Sequence, residues 1–259
     1  MCGRFSQSKK HKDAVIEVAE VLDDITVDPG FAAGYEAAAG RYNIRPSSQC
    51  LIIRSGSGSN TENIPSLTLS RWGYRPGWMS DDYIRQSKRG PFINARSETV
   101  FEARAFADAV RFNRCLVLVD GFYEPKGEAG SKREQYYFDL PNRSLFALAG
   151  IEAAYPDGPV AGNSASFAIL TCPPNTHVEP IHGRMPVIVP DAQWSLWLNG
   201  EERDPARLGG LLHPWSGQAL QCRQVSPDIN KRDAEGPWCI EPYAPPVATT
   251  AAAVQGSLF

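Results

Sequence analysis

The sequence predicts an α+β fold, with one β-rich domain that has a mixed or antiparallel, barrel-like core and a few helices. Short apolar or alternating runs, bounded by Gly, Pro, Asn and Ser, recur between residues 50 and 189. Regular helices do not separate these runs, which argues against a parallel βαβ sheet. The chain has 259 residues, 42% of them hydrophobic and 21% charged, enough to bury a sizeable core.

The first predicted element is a helix over residues 9–22, where Val15, Val18 and Leu22 recur at helical spacing. A short N-terminal tail precedes it, and residues 23–40 read as an acidic, Gly- and Ala-rich surface loop. Two later helices are predicted over 99–112 and over 191–198, the latter just after Pro190. The predicted strands, expected to form one sheet or barrel, are 50–54, 67–74, 115–122, 136–140, 145–151, 167–171 and 186–189.

The domain is expected to span residues 1–244 and to be followed by a flexible tail, 245–259. The tail begins PPVATTAAAV, which contains too little to bury. No run reaches the eighteen apolar residues of a membrane span, and the N-terminus lacks a secretory layout. We therefore expect a cytoplasmic, nucleoid-associated protein with no membrane partner. Its six cysteines include no CxxC pair, so we expect free thiols, no metal site and no cofactor.

The net charge of −3 argues weakly against a nucleic-acid partner, but the charge is unevenly distributed. Residues 41–104 carry ten Lys or Arg against five Asp or Glu, a local charge of +5. The remaining residues carry sixteen against twenty-four. This basic segment is consistent with a nucleic-acid surface, and equally with an ordinary solvated face.

Cys2 is the most informative candidate for chemistry. If Met1 is removed, Cys2 has a free α-amine and a thiol on adjacent carbons, and both are partly available as nucleophiles near neutral pH. Such a 1,2-aminothiol reacts with an aldehyde to give first a Schiff base and then a five-membered thiazolidine. The competing interpretation is that Cys2 is an incidental second residue.

Three segments supply groups that this reaction needs. Glu124 follows an apolar strand, where a carboxyl beside an apolar wall can shuttle protons. His182 lies on a predicted loop and titrates near neutrality. The segment NARSET at 94–99 offers the Asn94 amide, the Arg96 guanidinium for a phosphate, and Glu98, which could begin a helix and hold Arg96. Taken singly, Glu124 is more typical of a surface ion pair, and His182 is more typical of a structural histidine.

The segment RWGYRPGW at 71–78 alternates cations with aromatic residues. Trp72 and Trp78 could stack on bases while Arg75 contacts the backbone of a single strand. A Trp-rich core strand followed by a turn explains the same residues.

Seven motifs in order resemble the SOS response-associated peptidase (SRAP) family of abasic-site sensors, from residue 2 to about 243. They are MCGRF at 1–5, RYNIRP at 41–46, WGY at 72–74, NARSET at 94–99, GFYE at 121–124, IHGRMP at 181–186 and GPWCI at 236–240. The resemblance implies that Cys2, after loss of Met1, forms a thiazolidine with the ring-opened deoxyribose at an abasic site in single-stranded DNA.

The resemblance also implies individual roles. Asn94 and Glu124 would position the α-amine and the sugar, Glu124 would relay protons, and His182 would protonate the sugar oxygen as the ring opens. Phosphates would be held by Arg4 and Arg96. Trp72 and Trp78 would provide stacking surfaces, with Met79 standing where a second tryptophan can occur.

Three positions depart from the family pattern. Arg45 stands where a small residue is common and would add a cation near the DNA path. Pro125 replaces a usual tryptophan, which leaves the packing behind Glu124 open. Gly183 replaces a common Asp, removing one ion-pair partner for His182.

The last five residues, QGSLF, are similar to peptides that bind bacterial sliding clamps. Gln255 would make polar contacts, while Leu258 and Phe259 would fill an apolar pocket. A flexible linker of this composition would raise the local concentration of the domain at replication sites. A chance match at a frayed terminus is the alternative.

Two other function classes remain open. One is a cysteine peptidase with Cys2 as nucleophile, His182 as base and Glu124 as orienting group, for which the Met1–Cys2 bond is the expected substrate. The other is a single-strand binding module without catalysis, in which Cys2 is passive.

Overall fold

The structure, a computed structural model, describes residues 2–28, 40–56, 64–88, 90–128, 133–154 and 165–244. Its helices are short and its strands dominate, so the predicted α+β, β-rich class is confirmed. The helices are α1 (His11–Ala19), α2 (Asp81–Ser87), α3 (Ala107–Phe112), α4 (Trp194–Leu198) and α5 (Pro205–Gly209). Single 3₁₀ turns lie at Pro141–Arg143, Asp191–Gln193, Pro227–Asn230 and Pro237–Ile240.

The strands of the described residues form two sheets rather than the one that the sequence predicted. In chain order they are β1 (Arg4–Gln7), β2 (Thr26–Val27), β3 (Arg41–Ile44), β4 (Gln49–Arg54), β5 (Ser66–Trp72), β6 (Asn94–Arg96), β7 (Arg114–Val119), β8 (Gly121–Lys126), β9 (Glu134–Asp139), β10 (Phe146–Ala154), β11 (Ala165–Cys172), β12 (Met185–Pro186), β13 (Ile188–Val189) and β14 (Gln221–Val225).

Five strands close into a barrel. Strand β4 pairs antiparallel with β5 and β7, and β10 pairs antiparallel with β7 and β11. The ring closes where β11 runs parallel to β5, with Phe167 opposite Trp72. Strands β7 and β11 are buried along their whole length, which explains their uninterrupted apolar sequences. The barrel interior is thus the main hydrophobic core.

The second sheet is antiparallel and has the order β14-β9-β8-β1-β3. The chain passes from the barrel into this sheet at Asp120, between β7 and β8. Gly121 is required at this point, because a Cβ atom there would lie 2.1 Å from Cζ of Tyr137. The tight passage fixes β8, and therefore Glu124, against the side of the barrel.

The N-terminal residues are a strand of the second sheet, so the prediction of a tail before α1 is wrong. Strand β1 lies between β3 and β8, with Arg4 opposite Tyr123. Its polar residues Ser6 and Gln7 are buried and hydrogen-bonded to partners distant in sequence. Gln7, for example, donates to the carbonyls of Leu51 and Leu118, at 2.9 and 2.6 Å. This strand brings the start of the chain to the junction of the two sheets.

Of the other predicted elements, some are present in the structure and others are present only in part. The helix predicted over 9–22 is α1, and that over 191–198 is a 3₁₀ turn leading into α4. Of the helix predicted over 99–112, only α3 is helical; the Ala105 carbonyl instead accepts a hydrogen bond from the Tyr74 hydroxyl at 2.9 Å. The predicted loop at 23–40 contains β2, and its residues 29–39 lie outside the described part. Among the described helices, none has the length and apolar character to cross a membrane.

Candidate active site

The candidate site lies where the barrel meets the second sheet. Cys2 precedes β1 and Glu124 lies on β8, two neighbouring antiparallel strands. Asn94 begins β6, which runs parallel to β11, and His182 lies on the segment that connects β11 to β12. Four segments distant in sequence therefore meet at one point.

Cys2 is buried, and its Sγ lies 3.7 Å from the carbonyl oxygen of Arg4. Burial raises the pKa of this thiol well above its ordinary value, and the nearby Glu124 carboxylate raises it further. The sulfur is therefore protonated at neutral pH. The surrounding fold fixes the position of this thiol, which is not at a chain end exposed to solvent.

Asn94 fixes the main chain of Cys2. Its Nδ2 donates a hydrogen bond of 2.9 Å to the carbonyl oxygen of Cys2. Its Oδ1 is buried and accepts no hydrogen bond from the described residues. A buried acceptor of this kind costs free energy unless a donor arrives, so Oδ1 is poised to accept from a bound group.

Glu124 and His182 face each other, with 3.3 Å between Glu124 Oε2 and His182 Nδ1. Burial raises the pKa of Glu124 to about 8. Burial likewise lowers the pKa of His182. At neutral pH the pair is therefore a protonated carboxyl beside a neutral imidazole, and it can donate or accept one proton with little rearrangement.

The backbone of Arg184 sets the orientation of the His182 ring. The carbonyl oxygen and the N–H of Arg184 lie 3.0 and 3.2 Å from His182 Nδ1. The Arg184 guanidinium is bound by the Glu98 carboxylate and by the Thr171 carbonyl, at 2.6 Å. The hydrogen bond from the Arg184 guanidinium lowers the pKa of the Glu98 carboxyl to about 2. Glu98 thus holds Arg184, and the prediction that it holds Arg96 is wrong.

Sequence reasoning missed Arg184 as a site residue, although it lies in the IHGRMP segment that provided His182. Its position two residues after the histidine was the available signal. It also missed Arg133, at the start of β9, whose positive charge acts on both Glu124 and His182. No motif in the sequence surrounds Arg133.

The structure leaves some of the predicted DNA contacts accessible. Arg96 is exposed on β6, and Trp78 is 43% exposed, packed edge-on against Tyr83. Arg4 is half-buried, and burial, followed by the charges of Arg45 and Arg133, lowers its pKa. These positions are compatible with contacts to an anion, and the roles of these residues stay predictions.

Three other predicted contacts need correction. Trp72 is fully buried; its Nε1 donates to the Ile93 carbonyl at 2.8 Å and its ring packs between those of Phe5 and Phe167. It is therefore a core residue, because an interior ring cannot stack on a base.

Arg75 is buried as well. It donates to the Met79 carbonyl at 2.9 Å and pairs with Asp81, so it stabilises the turn before α2. The Arg45 guanidinium donates to the carbonyls of Ile229 and Lys231, which makes it a brace for the 3₁₀ turn at Pro227–Asn230. The predicted clamp contacts Gln255, Leu258 and Phe259 lie outside the described residues.

The fold and the site together define a class of protein in which a cysteine close to the N-terminus is buried where a barrel meets a second sheet. The chain belongs to the SOS response associated peptidase (SRAP) family, whose model matches residues 1–232. This confirms the family that the seven sequence motifs indicated.

The chain is similar to several curated proteins. It is 31% identical over 243 residues to the abasic site processing protein YoqW of Bacillus subtilis, covering 94% of this chain and 100% of that protein. It is 28% identical over 231 residues to the abasic site processing protein HMCES of Rattus norvegicus, covering 78% of this chain and 64% of that protein.

The fold has also been seen in solved structures. A crystal structure of a protein from Bacteroides thetaiotaomicron matches with a TM-score of 0.74, covering 94% of this chain and 100% of that chain. Because the identity is 22%, this match supports the fold alone.

Proposed function

We propose that this protein processes abasic sites in single-stranded DNA by forming a covalent thiazolidine through Cys2 after Met1 is removed. The observation that carries the proposal is the placement of Cys2: its carbonyl is held by Asn94, and it lies beside the buried Glu124–His182 pair. The relatives named above as abasic site processing proteins support an abasic site as the substrate.

The chemistry balances without an external oxidant or cofactor. Hydrolysis of the Met1–Cys2 bond frees the α-amine. The deoxyribose ring opens to an aldehyde, the amine adds to its carbonyl carbon, and one water leaves to give a Schiff base. The thiol then adds across the C=N bond: sulfur bonds to carbon and the thiol proton ends on nitrogen. The net reaction of aminothiol with aldehyde releases one water.

The protonation states of the site suit these steps. Ring opening requires a proton on the sugar oxygen, and His182 is placed to deliver one that it receives from Glu124 across 3.3 Å. Loss of water from the first adduct also needs an acid, and a carboxyl with a pKa of about 8 retains its proton at neutral pH. The Asn94 Oδ1 atom supplies an acceptor that orients the amine or a sugar hydroxyl.

The same protonation states argue against a general cysteine peptidase. Such an enzyme attacks with a thiolate, and burial disfavours the thiolate of Cys2. We therefore confine any peptidase activity to the Met1–Cys2 bond of the chain itself.

The substrate follows from the same physical arguments. An abasic site presents a masked aldehyde and has no base to unstack, so its extrusion costs less than that of an intact nucleotide. Single-stranded DNA bends easily around a site at the start of a chain. We expect the aldehyde and the missing base to determine specificity, and base sequence to matter little.

The experiment is a denaturing gel with an abasic oligonucleotide. We expect a heat-stable, slowly migrating adduct that forms without a reductant and disappears in Cys2→Ala. Cys222→Ala, which removes an exposed thiol, should form the adduct normally. Mass spectrometry should show Cys2 as the first residue. An adduct in Cys2→Ala that needs no borohydride would exclude the thiazolidine.

We also propose that the QGSLF peptide binds a sliding clamp, which would place the domain at replication sites. Its support is the sequence alone. A clamp-binding assay that compares the full chain with a chain lacking Leu258 and Phe259 tests the idea, and equal binding would reject it.

A further inference from the structure

Two adjoining cavities form a groove that leads away from Cys2. The first has a volume of about 210 Å³ and is lined by Gly3, Arg4 and Arg133, among others. The second, of about 270 Å³, is lined by Arg133, Gln224 and Tyr243, among others. Arg133 and Gln135 line both cavities, so the two cavities adjoin at these residues and are together called the groove.

The groove crosses one end of the second sheet. Its walls come in turn from the segment at β1, from β8, from the start of β9 and from β14. Adjacent strands lie about 4.8 Å apart, so crossing three strand spacings takes about 14 Å. At a rise of about 3.4 Å per stacked nucleotide, this length accommodates about four nucleotides of one strand. The groove begins at Gly3, next to the reactive residue.

The charges in the groove favour an anion. Neither Arg4 nor Arg133 forms a side-chain hydrogen bond or ion pair with another of the residues that the structure describes. Arg4 and Arg133 line the same cavity, and, after burial, the positive charges of Arg45 and Arg133 lower the pKa of Arg4. Arg45 is already held by backbone carbonyls. A phosphate between Arg4 and Arg133 would relieve their mutual repulsion.

The far end of the groove is less charged. The carboxylate of Glu134, which also lines it, accepts a hydrogen bond of 3.1 Å from the Tyr136 hydroxyl. Tyr243 is half-buried, and its N–H donates to the Gln224 carbonyl at 2.9 Å, which fixes its backbone. An aromatic residue whose backbone is fixed at the end of this groove is suited to contact with a base.

We propose that this groove binds the single-stranded DNA flanking the abasic site on one side, with a phosphate between Arg4 and Arg133 and a base against Tyr243. The inference rests on the proposed function for its choice of ligand. It adds a defined path for the strand, and it assigns roles to Arg133 and Tyr243, two residues outside the motifs.

The first test measures equilibrium binding of undamaged single-stranded oligonucleotides at several salt concentrations. Loss of one phosphate contact in Arg133→Gln should reduce the magnitude of the slope of log K against log salt by about 0.7. Arg203→Gln is the matched control, because it removes an exposed positive charge that packs on Phe112, away from the groove. Equal slopes for both variants and the wild type would overturn the proposal.

The second test locates the effect on the strand. Abasic oligonucleotides carry their flanking nucleotides either on the 5′ or on the 3′ side of the lesion. Arg133→Gln and Tyr243→Leu should slow adduct formation at limiting DNA about five-fold or more with one set, and hardly at all with the other. Tyr243→Phe should behave like the wild type. Equal slowing with both sets would overturn the one-sided path.

The two proposals fail in distinguishable ways. If the wild type binds single strands through Arg133 but forms no adduct, the proposed function fails while the groove stands. If Cys2→Ala alone abolishes the adduct and Arg133→Gln changes neither salt slope nor rate, the groove fails while the proposed function stands.

Discussion

Two buried carboxyl groups lie four residues apart in opposite environments, Asp120 just before strand β8 and Glu124 within it. Asp120 accepts hydrogen bonds from the Ser6 hydroxyl, from the Ser8 hydroxyl and, at 2.7 Å, from the Ser8 N–H. Further along, Glu124 lies against the neutral ring of His182, and burial raises its pKa to about 8. Hydrogen-bond donors surround the Asp120 carboxylate, whereas burial is the largest influence on Glu124.

The difference separates stability from reactivity. Hydrogen bonds to a buried carboxylate offset the cost of its desolvation, so Asp120 joins the barrel to the second sheet. Glu124 keeps its proton because burial disfavours its charged form, and that retained proton is what an acid catalyst requires. Near neutral pH, the buried Glu124 therefore lowers the stability of the folded protein but supplies an acid for the reaction. The hydrogen bonds of Asp120 stabilise the fold and supply no acid.

The largest expected effect is on the rate of adduct formation in Glu124→Gln. Gln keeps the shape of the side chain but cannot exchange a proton, so we expect the rate to fall by about 10²- to 10⁴-fold. Single-turnover kinetics on denaturing gels measure it. Asp120→Asn is the comparison, because at temperatures where it is folded its rate should stay within a few-fold of the wild type. A Glu124→Gln variant with normal rate would break the contrast.

The next effect is the pH dependence of stability. An unfolded Glu ionises near pH 4.3, whereas Glu124 holds its proton up to about pH 8. Between these values the folded state binds more protons than the unfolded state. The contribution of Glu124 to the free energy of unfolding therefore falls as pH rises, and it becomes constant above about pH 8.

Glu124→Gln removes this dependence. The variant should gain stability relative to the wild type between pH 5 and pH 8, by roughly 2–4 kcal/mol in the free energy of unfolding. Urea titrations at pH 5, 6.5, 8 and 9 measure the difference. A constant difference across this range would show that Glu124 is ionised throughout.

The sequence predicted the parts of the fold that apolar runs define. Strands β4, β7, β10 and β11 were predicted because their buried faces leave continuous hydrophobic segments. Strands β1 and β3 were missed because they bury polar residues. Asn43 in β3 donates to the carbonyls of Ile229 and Ala234, both at 2.9 Å, partners that no local pattern reveals. Pairing across nearly two hundred residues is a tertiary property.

The site was predicted to a similar extent. The motifs contained Cys2, Asn94, Glu124 and His182, and the structure brings these four together. Exposure was the weaker part of the prediction. An aromatic residue flanked by arginines has the same sequence on a surface and at the end of a core strand, so Trp72 was misplaced. Which cations form no ion pair with the described residues, such as Arg133, depends on the packing of the whole chain.

A third prediction tests the other half of the comparison. Asp120→Asn keeps the volume but replaces a charged acceptor with an amide that also brings two donors into a cluster already supplied with donors. We expect a loss of about 2–3 kcal/mol in the free energy of unfolding. Urea denaturation measures it. A loss below about 0.5 kcal/mol would mean that this cluster does not secure the passage from β7 to β8.

The smallest effect is expected in Ser8→Ala. The Asp120 carboxylate would lose the hydroxyl of Ser8 but keep the Ser8 N–H and the Ser6 hydroxyl, so the destabilisation should be about 1 kcal/mol. Because the remaining donors still hold β1 against β8, Cys2 should stay in place and the adduct rate should not change. Parallel measurements of unfolding and of adduct formation test both points. If the small loss of stability came with a large loss of rate, the two carboxyl clusters would be coupled along β1, and the separation of stability from reactivity would be incorrect.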